Sequence, residues 1–268
     1  MKSQRVTKEL AYRDNQEFYG HLGQEVPLDD WLQANYTGDT FLKRRLEEIL
    51  EFAQRLPVNS SYLELGCGSG DALSYVIANT SKQKSKVVYS DISLEFMKKA
   101  VPKSRKFFGL NDIHFNVMEF SAEKIPFEDS YFDLIIAKSV VHHFDNPKAA
   151  FSEIYRVLKP NGIFFFCNDP QKGFLYHFGS EQKVASKAHQ KEGINCRVYS
   201  HREYANFCRF SQIESCFDPS FETELAKVIK SKNAITRHLV TQLLKYDIGK
   251  RSLSRKMKLP LTYKLLKS

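Results

Sequence analysis

The stretch that decides the fold is Glu64–Gly70, which reads ELGCGSG. It follows a short apolar run typical of a strand and precedes a segment typical of a helix. A glycine-rich bend at such a position lets a ligand approach the backbone closely. The dinucleotide fingerprint GxGxxG would place its third glycine where this chain has Asp71. The GxGxG spacing found here therefore disfavours a nicotinamide dinucleotide as the ligand.

From Tyr62 onward, short apolar runs alternate with stretches of helical length. Five runs are rich in β-branched and aromatic residues, which favours strands. They are SYLELG, KVVYSD, IHFNVM, FDLIIAKS and GIFFFCND. Strands that alternate with helices imply a parallel sheet covered on both faces. The sequence therefore predicts an α/β fold with a mostly parallel central sheet flanked by helices.

Amphipathic segments flank the predicted strands. Apolar residues recur at spacings of three and four from Phe41 to Ala53, which predicts a helix that Pro57 ends. The helix after the fourth strand has Asn146 as its cap and Pro147 at its first position, and KPNG then supplies the turn into the fifth strand. Beyond that strand we predict a helix over His201–Phe210, a sixth strand over Gln212–Asp218 and one or two helices over Phe221–Tyr246.

We predict a single domain in four parts. The stretch 170–200 is polar and aromatic without clear periodicity and is long for a connection, which indicates a lid or substrate-binding insertion. The four parts are an N-terminal helical cover at 1–59, a ligand-binding core at 60–169, the insertion at 170–200, and a C-terminal part with a basic tail at 201–268.

The net charge of +9 is concentrated near the C-terminus. From Lys245 to Ser268, eight Lys or Arg residues accompany the single acid Asp247, which gives this tail a charge of +7. Such a tail can attract phosphate backbones or an anionic membrane surface. A solvated, partly helical surface segment is the commoner meaning of a basic run, and it is the interpretation that we favour.

Composition also bounds the cellular and chemical setting. The chain shows neither the apolar core of a signal peptide nor a run of about twenty apolar residues, so we expect a cytoplasmic protein. Its five cysteines lack CxxC spacing, which suggests neither a zinc site nor a disulfide framework. The sequence gives no convincing ligand cluster, and we expect no metal.

The chain resembles the class I S-adenosylmethionine-dependent methyltransferases, specifically the subgroup of ubiquinone, menaquinone and many small-molecule methyltransferases. The resemblance spans about 60–168 and rests on four motifs in order. They are ELGCGSG, VVYSDIS, SAEKIPFEDSYFDLIIAKSVVHHFDNP and EIYRVLKPNGIFFF. One such motif is weak evidence, but four at suitable spacing are strong. The resemblance implies a Rossmann-like class I methyltransferase fold, with S-adenosylmethionine as the methyl donor.

The resemblance also implies which residues bind the donor. Gly66, Gly68 and Gly70 would lie beside its methionine and ribose portions, together with Cys67 of the same loop, and Glu64 would orient the loop. Asp91, at the end of the second strand, would accept hydrogen bonds from the two ribose hydroxyls. The alternative role for Asp91 is to cap the next helix, although its neighbour Ser93 could do so instead.

The remaining donor contacts fall in three later segments. Ile92 would pack on the adenine, and Ser121, Ala122 and Glu123 would line its edge. This chain departs from the family at Ser121, where Asp is more usual, so the adenine amino group would lose a charge-assisted hydrogen bond. The end of the fourth strand, at Lys138 and Ser139, would meet the methionyl part through main-chain groups.

Two sets of residues are candidates for acceptor chemistry. The first is His142 and His143 at the rim of the donor site, where an imidazole could act as a general base; a structural role is the favoured alternative, because HH occurs in members of differing chemistry. The second comprises residues of the N-terminal segment and the insertion, each of which packing alone would also explain. They are Tyr19, Trp31, Tyr36 and His177.

The expected function is methyl transfer to an oxygen or nitrogen of a small molecule, such as a secondary metabolite, a sugar or a quinol. The sulfonium is already activated, so the enzyme mainly has to align the reacting atoms. Methylation of RNA or another nucleic acid is an alternative that the basic tail motivates, although no amine-methylating NPPY or DPPY signature is present. A non-catalytic scaffold that binds the donor is a second alternative. The oligomeric state is left open.

Overall fold

The computed structural model describes residues 28–38, 41–80, 85–169, 197, 199–207, 212–217 and 261–267. The helices are α1 Leu28–Tyr36, α2 Phe41–Arg55, α3 Asp71–Ala78, α4 Leu94–Phe107, α5 Pro147–Val157 and α6 His201–Phe207. The strands are β1 Ser61–Leu65, β2 Lys86–Asp91, β3 Phe115–Glu119, β4 Phe132–Lys138, β5 Leu158–Cys167, β6 Gln212–Phe217 and β7 Leu261–Leu266. Tyr19, His177, the helices expected over Phe221–Tyr246 and nearly all of the 170–200 insertion lie outside the described residues.

The strands form one seven-stranded sheet in the order β3-β2-β1-β4-β5-β7-β6. Strands β1 to β5 pair in parallel, whereas β7 is antiparallel to both β5 and β6. The expectation of a mostly parallel sheet flanked by helices is therefore confirmed. The chain runs outward from β1 through β2 to β3 and then returns to β4 on the other side of β1. This reversal leaves a crevice at the carboxyl ends of β1 and β4, which is where open α/β sheets bind ligands.

Helices cover both faces of this sheet. The central strands β1 and β4 are almost wholly buried, which matches their largely apolar sequences. Helices α1 to α4 pack on one face through a cluster that includes Leu32, Leu46 and Val76, and α5 and α6 pack on the other through Phe151, Ile154 and Tyr204. In the part of the chain that the structure describes, no helix combines the length and the hydropathy needed to cross a bilayer.

The expected punctuation of the α5 region is mostly confirmed. Asn146 Oδ1 accepts a hydrogen bond from the Ala149 main-chain N–H at 3.2 Å, and Pro147 opens the helix. The turn expected at KPNG differs in detail, because β5 already begins at Leu158 and includes these residues. Asn161 adopts a left-handed φ of 62° there, and its N–H donates to the Lys267 carbonyl at 2.7 Å. The bend is therefore stabilised by the end of β7.

The end of the basic tail is a strand, which corrects part of our interpretation of this segment. Residues 261–266 form β7, inserted between β5 and β6, with Tyr263 and Leu265 buried. The expectation of a solvated, partly helical surface segment is wrong here. Two of the tail's cations serve the fold: Lys264 lies 3.5 Å from the Glu48 carboxylate, and Lys267 donates to the Leu158 carbonyl at 2.6 Å. Alternation of apolar and polar side chains in LTYKLL was the available signal.

We predict that Leu265→Ala lowers the free energy of unfolding by about 2–5 kcal/mol, because it leaves a cavity in the cluster beneath α5 and α6. Urea denaturation followed by circular dichroism measures this loss. The matched control is Lys264→Ala in the same strand, which removes a partly exposed ion pair and should cost about 1 kcal/mol or less. Equal stability of the Leu265 variant and the wild type would contradict the placement of β7 in the core.

Candidate functional site

Four loops meet at the carboxyl edge of the parallel strands. They follow β1, β2, β4 and β5, and they begin at Gly66, Ile92, Ser139 and Asn168. Because neighbouring parallel strands end side by side, residues far apart in sequence are brought together at this edge. Every donor-site residue that we expected outside the Ser121 segment lies on or directly beside these loops.

The loop after β1 has a backbone that side chains would obstruct. Gly66, Gly68 and Gly70 have φ values of 56°, 50° and 69°, in the left-handed region that favours glycine. A Cβ at Gly66 would lie 2.1 Å from a methyl of Val140, and one at Gly70 would lie 2.8 Å from the Tyr89 ring. At Gly68, by contrast, the nearest atom would be 3.7 Å away. Close packing therefore requires the outer two glycines, whereas a Cβ at the middle one would make only an ordinary contact with the Phe96 ring.

Glu64 is fully buried beneath this loop and faces the start of α3. Its Oε2 accepts a hydrogen bond at 2.9 Å from the Leu73 main-chain N–H, one of the donors that a helix start leaves without a partner. The cap residue Gly70 has no side chain that could accept it. Burial, followed by the charge of Asp71, raises the pKa of Glu64 to about 8, although the charge of Lys138 opposes the rise. Glu64 thus fixes the helix to which the glycine loop leads.

Asp71 joins three parts of the molecule, and we did not foresee this role. The Tyr36 hydroxyl and the Lys138 ammonium both bind its Oδ2, while the Ser69 hydroxyl donates to its Oδ1 at 2.6 Å. Asp71 thereby links α1, β4 and the glycine loop. The sequence signal was an acid at the first position of a helix, where the helix dipole favours negative charge.

Asp91 closes the other side of the loop. Its Oδ2 accepts from the Gly68 main-chain N–H at 2.9 Å and its Oδ1 from the Ser93 N–H at 3.1 Å. Burial raises the pKa of Asp91, and these hydrogen bonds oppose the rise. Ser93 is the N-cap residue of α4, but its side chain makes no capping hydrogen bond, so the alternative cap that we considered does not form. Each carboxylate oxygen keeps a further lone pair for a ligand hydroxyl.

The segment expected at the adenine edge is a hydrogen-bonded turn. The Ser121 hydroxyl donates to the Glu123 carboxylate, and its oxygen accepts from the Glu123 N–H at 3.2 Å. Glu123 also accepts from the Asn146 N–H at 3.2 Å, which ties the turn to the start of α5. Ala122 is buried, whereas Ile92 across the crevice is partly exposed. Ser121 therefore commits its proton to Glu123 and retains only acceptor capacity.

The ends of β4 and β5 are strained and joined to each other. Ser139 and Asn168 have φ values of 57° and 66°, although neither is glycine. A side chain in this region costs about 1–3 kcal/mol, and such residues cluster at functional sites. The Asn168 amide donates to the Ser139 hydroxyl and accepts from the buried Arg45 of α2. Beside them, the Lys138 ammonium binds Asp71, although we expected only the main chain of Lys138 to take part in the site.

His142 and His143 lie in one turn of 3-10 helix just beyond β4. Their rings are 3.8 Å apart between centroids. His142 is buried, and its Nδ1 lies 2.6 Å from Oδ1 of Asp169, a residue absent from our candidates. The ring thus has the partner that orients a general base, although the favoured alternative was a structural role.

The described part of the expected acceptor pocket consists of Trp31 and Tyr36 on α1. Tyr36 is buried against Tyr75 and Phe108, and its hydroxyl is committed to Asp71. Burial, followed by the charge of Asp71, raises the pKa of Tyr36. The partly buried Trp31 ring packs 4.7 Å from the Lys138 ammonium. Tyr36 is thus linked to the glycine loop through Asp71, and Trp31 through Lys138. Contact of either residue with an acceptor stays a prediction.

The charged groups around the loop 66–70 indicate which kind of ligand fits there. Asp71 and Asp91 are the carboxylates beside it, and Lys138 binds Asp71, whereas Glu64, with a pKa of about 8, is mostly protonated at neutral pH. Glu64 Oε1 is buried without a hydrogen-bond partner among the described residues. An anionic pyrophosphate would be repelled here, whereas a ligand with a sulfonium and an ammonium group would be attracted. S-adenosylmethionine carries both, so the residues fit it. Within the described residues no cluster of His, Cys, Asp and Glu could hold a metal.

Cys67 contributes differently from the rest of the loop. Its side chain is buried in the core, and burial raises the pKa of its thiol. Its main-chain N–H donates to the Ser90 carbonyl at 2.8 Å, which attaches the loop to β2. The thiol is therefore a packing group, and a ligand contact at Cys67 stays a prediction.

The sequence is similar to known proteins across this same region. Residues 63–166 match the family profile described as a methyltransferase domain. The ubiquinone/menaquinone biosynthesis C-methyltransferase UbiE of Rickettsia bellii (strain OSU 85-389) is 33% identical over 118 residues, 42% of this chain and 46% of that protein. The highly reducing polyketide synthase verA of Penicillium polonicum is 31% identical over 147 residues, 52% of this chain and 6% of that protein. The chain thus spans less than half the length of these relatives.

Solved structures share the fold. Phosphoethanolamine N-methyltransferase 2 of Haemonchus contortus, in complex with S-adenosyl-L-methionine, has a TM-score of 0.56 at 16% identity, covering 90% of this chain and 60% of that one. Geranyl diphosphate C-methyltransferase of Streptomyces coelicolor A3(2) has a TM-score of 0.55 at 17% identity, covering 84% and 78%. The Rossmann-like class I methyltransferase fold that the sequence predicted is thereby confirmed.

We predict that the free energy of unfolding of Glu64→Gln increases relative to that of the wild type as the pH rises. The unfolded chain titrates Glu64 near its ordinary pKa, whereas the folded chain titrates it at about 8. Between these values the folded state binds more protons, so the wild type's free energy of unfolding falls with rising pH, at up to about 1.4 kcal/mol per pH unit. Glutamine keeps an oxygen acceptor for Leu73 and does not titrate.

Urea denaturation of both proteins from about pH 5 to about pH 8 measures the difference. Glu51→Gln is the matched control, since Glu51 is an exposed residue of α2 and its variant should follow the wild type. A constant difference between wild type and Glu64→Gln across this range would show that Glu64 is ionised in the folded protein.

Proposed function

We propose that this chain, whose residues 63–166 match the methyltransferase-domain profile, is a class I methyltransferase that transfers a methyl group from S-adenosylmethionine to an oxygen or nitrogen of a small molecule. The observation that carries this proposal is the left-handed loop 66–70, enclosed by buried carboxylates at the switch point of the sheet. That arrangement supplies an open backbone and negative charge at one place.

Each donor-site residue has a task that its position supports. Asp91 accepts from the ribose hydroxyls while it keeps the Gly68 N–H in place. Asp71 gives the methionyl end a negative charge, and Glu64 Oε1, which has no hydrogen-bond partner among the described residues, offers it an oxygen acceptor. The partly exposed Ile92 offers an apolar surface to the adenine. S-adenosylmethionine itself supplies a methyl group already activated by the positive sulfur, so these residues bind and orient rather than activate.

The proposed acceptor class rests on the names of similar proteins. Relatives and structural neighbours bear the names of enzymes for ubiquinone and menaquinone, phosphoethanolamine and geranyl diphosphate, all of them small molecules. A secondary metabolite, a sugar or a quinol therefore suits this chain. Trp31 and Tyr36 would lie on the acceptor side through α1.

Nucleic-acid methylation is the second candidate, and the described residues reduce its support. The basic tail motivated it, but Lys264 and Lys267 are engaged with Glu48 and with β5. Truncating the tail would also remove β7 from the sheet, so loss of RNA binding in such a variant would report unfolding. A non-catalytic scaffold is distinguished from an enzyme by turnover of bound donor.

We predict that Asp91→Ala weakens binding of S-adenosylmethionine and S-adenosylhomocysteine by about ten-fold or more, because a charged acceptor for the ribose hydroxyls is lost. Isothermal titration calorimetry measures both affinities. Asp91→Asn, which keeps one oxygen acceptor, should fall between the wild type and the alanine variant.

The matched control is Glu95→Ala, which removes an exposed acid from the first turn of α4 and should leave binding unchanged. Melting curves of all variants separate a lost contact from a lost fold. Absence of donor binding to the wild type would refute the proposed function, whereas equal binding by wild type and Asp91→Ala would remove Asp91 from the site.

A further inference from the structure

Asp169 and His142 form a buried pair where β5 and β4 end. Their exposed fractions are 3% and 7%. Asp169 Oδ1 lies 2.6 Å from His142 Nδ1 and also accepts the His142 main-chain N–H at 3.0 Å. The two residues are 27 positions apart, so only the pairing of β4 with β5 brings them together.

This pairing determines which ring nitrogen can accept a proton. An ionised carboxylate only accepts hydrogen bonds, so the contact places a proton on Nδ1 of His142. In the neutral ring Nε2 then carries the lone pair. A side chain with this tautomer, oriented by a carboxylate, is suited to remove a proton from a substrate.

Residues from several parts of the chain contact the His142–Asp169 pair. The His143 ring lies 3.8 Å from the His142 ring, and the His142 carbonyl accepts from the Arg197 main-chain N–H at 2.8 Å. Burial, followed by the charge of Asp169, raises the pKa of Tyr204 of α6. Asp169 Oδ2 has no hydrogen-bond partner among the described residues. The hydrogen bonds that Asp169 accepts there are therefore directed to His142.

The pair also lies next to the donor loop. Val140, two residues before His142, packs so closely on Gly66 that a Cβ there would approach it to 2.1 Å. The turn that carries His142 is thus in direct contact with the loop expected to hold the methyl donor. Arg197, whose N–H binds the His142 carbonyl, belongs to the segment that we predicted as the substrate insertion.

We propose that His142 removes a proton from the acceptor, that Asp169 is its positioning residue, and that the acceptor is a hydroxyl compound; this rests on the proposed function. A neutral amine can attack through its lone pair and lose its proton afterwards. A neutral hydroxyl becomes a strong acid as it is methylated, so it benefits from a base during the reaction.

The step balances with the groups named. A lone pair of the hydroxyl oxygen forms a bond to the methyl carbon, the carbon–sulfur bond breaks, and its electron pair stays on sulfur. The hydroxyl proton passes to Nε2 of His142. The products are a methyl ether, S-adenosylhomocysteine and an imidazolium ion that Asp169 stabilises until the proton leaves to solvent.

The experiment uses the full chain with Asp169→Asn, His142→Gln and, as the matched control, His114→Gln, which changes an exposed histidine before β3. Calorimetry first measures S-adenosylmethionine binding by each protein. Formation of S-adenosylhomocysteine is then measured with a panel of phenols and alcohols, beside the matching primary and tertiary amines, from about pH 5.5 to about pH 9. Nitrogen-15 NMR identifies the tautomer of His142, whose signals are those lost in His142→Gln.

We expect donor binding to be retained in all variants and hydroxyl compounds to be methylated. The wild-type kcat should rise with pH to a plateau, and Asp169→Asn should lower it about 100-fold or more and alter this profile, while His114→Gln behaves as wild type. In the wild type Nδ1 of His142 should carry the proton, and in Asp169→Asn this preference should be lost.

Retained donor binding with transfer to amines alone, or to no member of the panel, would overturn the proposal. So would an Asp169→Asn kcat within twofold of the wild type, or a wild-type His142 with its proton on Nε2. Failure of the wild type to bind S-adenosylmethionine is a different result, since it refutes the proposed function itself.

Discussion

The carboxyl group of Glu64, buried without any exposure at the end of β1, is the constraint on which the site depends. It supplies the acceptor that α3 needs at its first turn, where the chain has glycine in place of a capping side chain. Because this hydrogen bond comes from inside the protein, the loop 66–70 can be built of residues with little or no side chain. The backbone of that loop is then available to a ligand.

Burying an acid has an electrostatic cost, and the charges of neighbouring residues change that cost. Burial and the charge of Asp71 together raise the pKa of Glu64 to about 8, against the opposing charge of Lys138. Lys138 and the Tyr36 hydroxyl meet on Asp71, so α1 and β4 are both bound to the start of α3. Helix α1 therefore contributes a polar contact to the surroundings of the glycine loop as well as covering the sheet. A cationic donor would complete this arrangement, because it brings positive charge to a loop enclosed by acids.

The sequence predicted the parts of the fold that are encoded locally. Strands β1 to β6 and helices α2, α5 and α6 follow from apolar periodicity, from the Asn146–Pro147 cap and from the glycine loop. Strand β7 was missed because its basic composition resembled a surface tail. Its partners β5 and β6 are both antiparallel to it and lie far away in the sequence. Side-chain pairs that form only in the tertiary structure were also missed. Asp71 with Tyr36 and Asp169 with His142 are joined only once the strands are in register. The part boundaries at 59, 169 and 200 stay predictions.

The most direct test of this account is a crystal structure of the protein with S-adenosylhomocysteine bound. We predict the ribose hydroxyls within hydrogen-bonding distance of the Asp91 carboxylate, the homocysteine amino group near Glu64 and Asp71, and the thioether sulfur facing the turn that carries His142. A ligand bound away from the loop 66–70, or a complex in which Asp91 makes no contact with the ribose, would contradict the assignment of this crevice as the donor site.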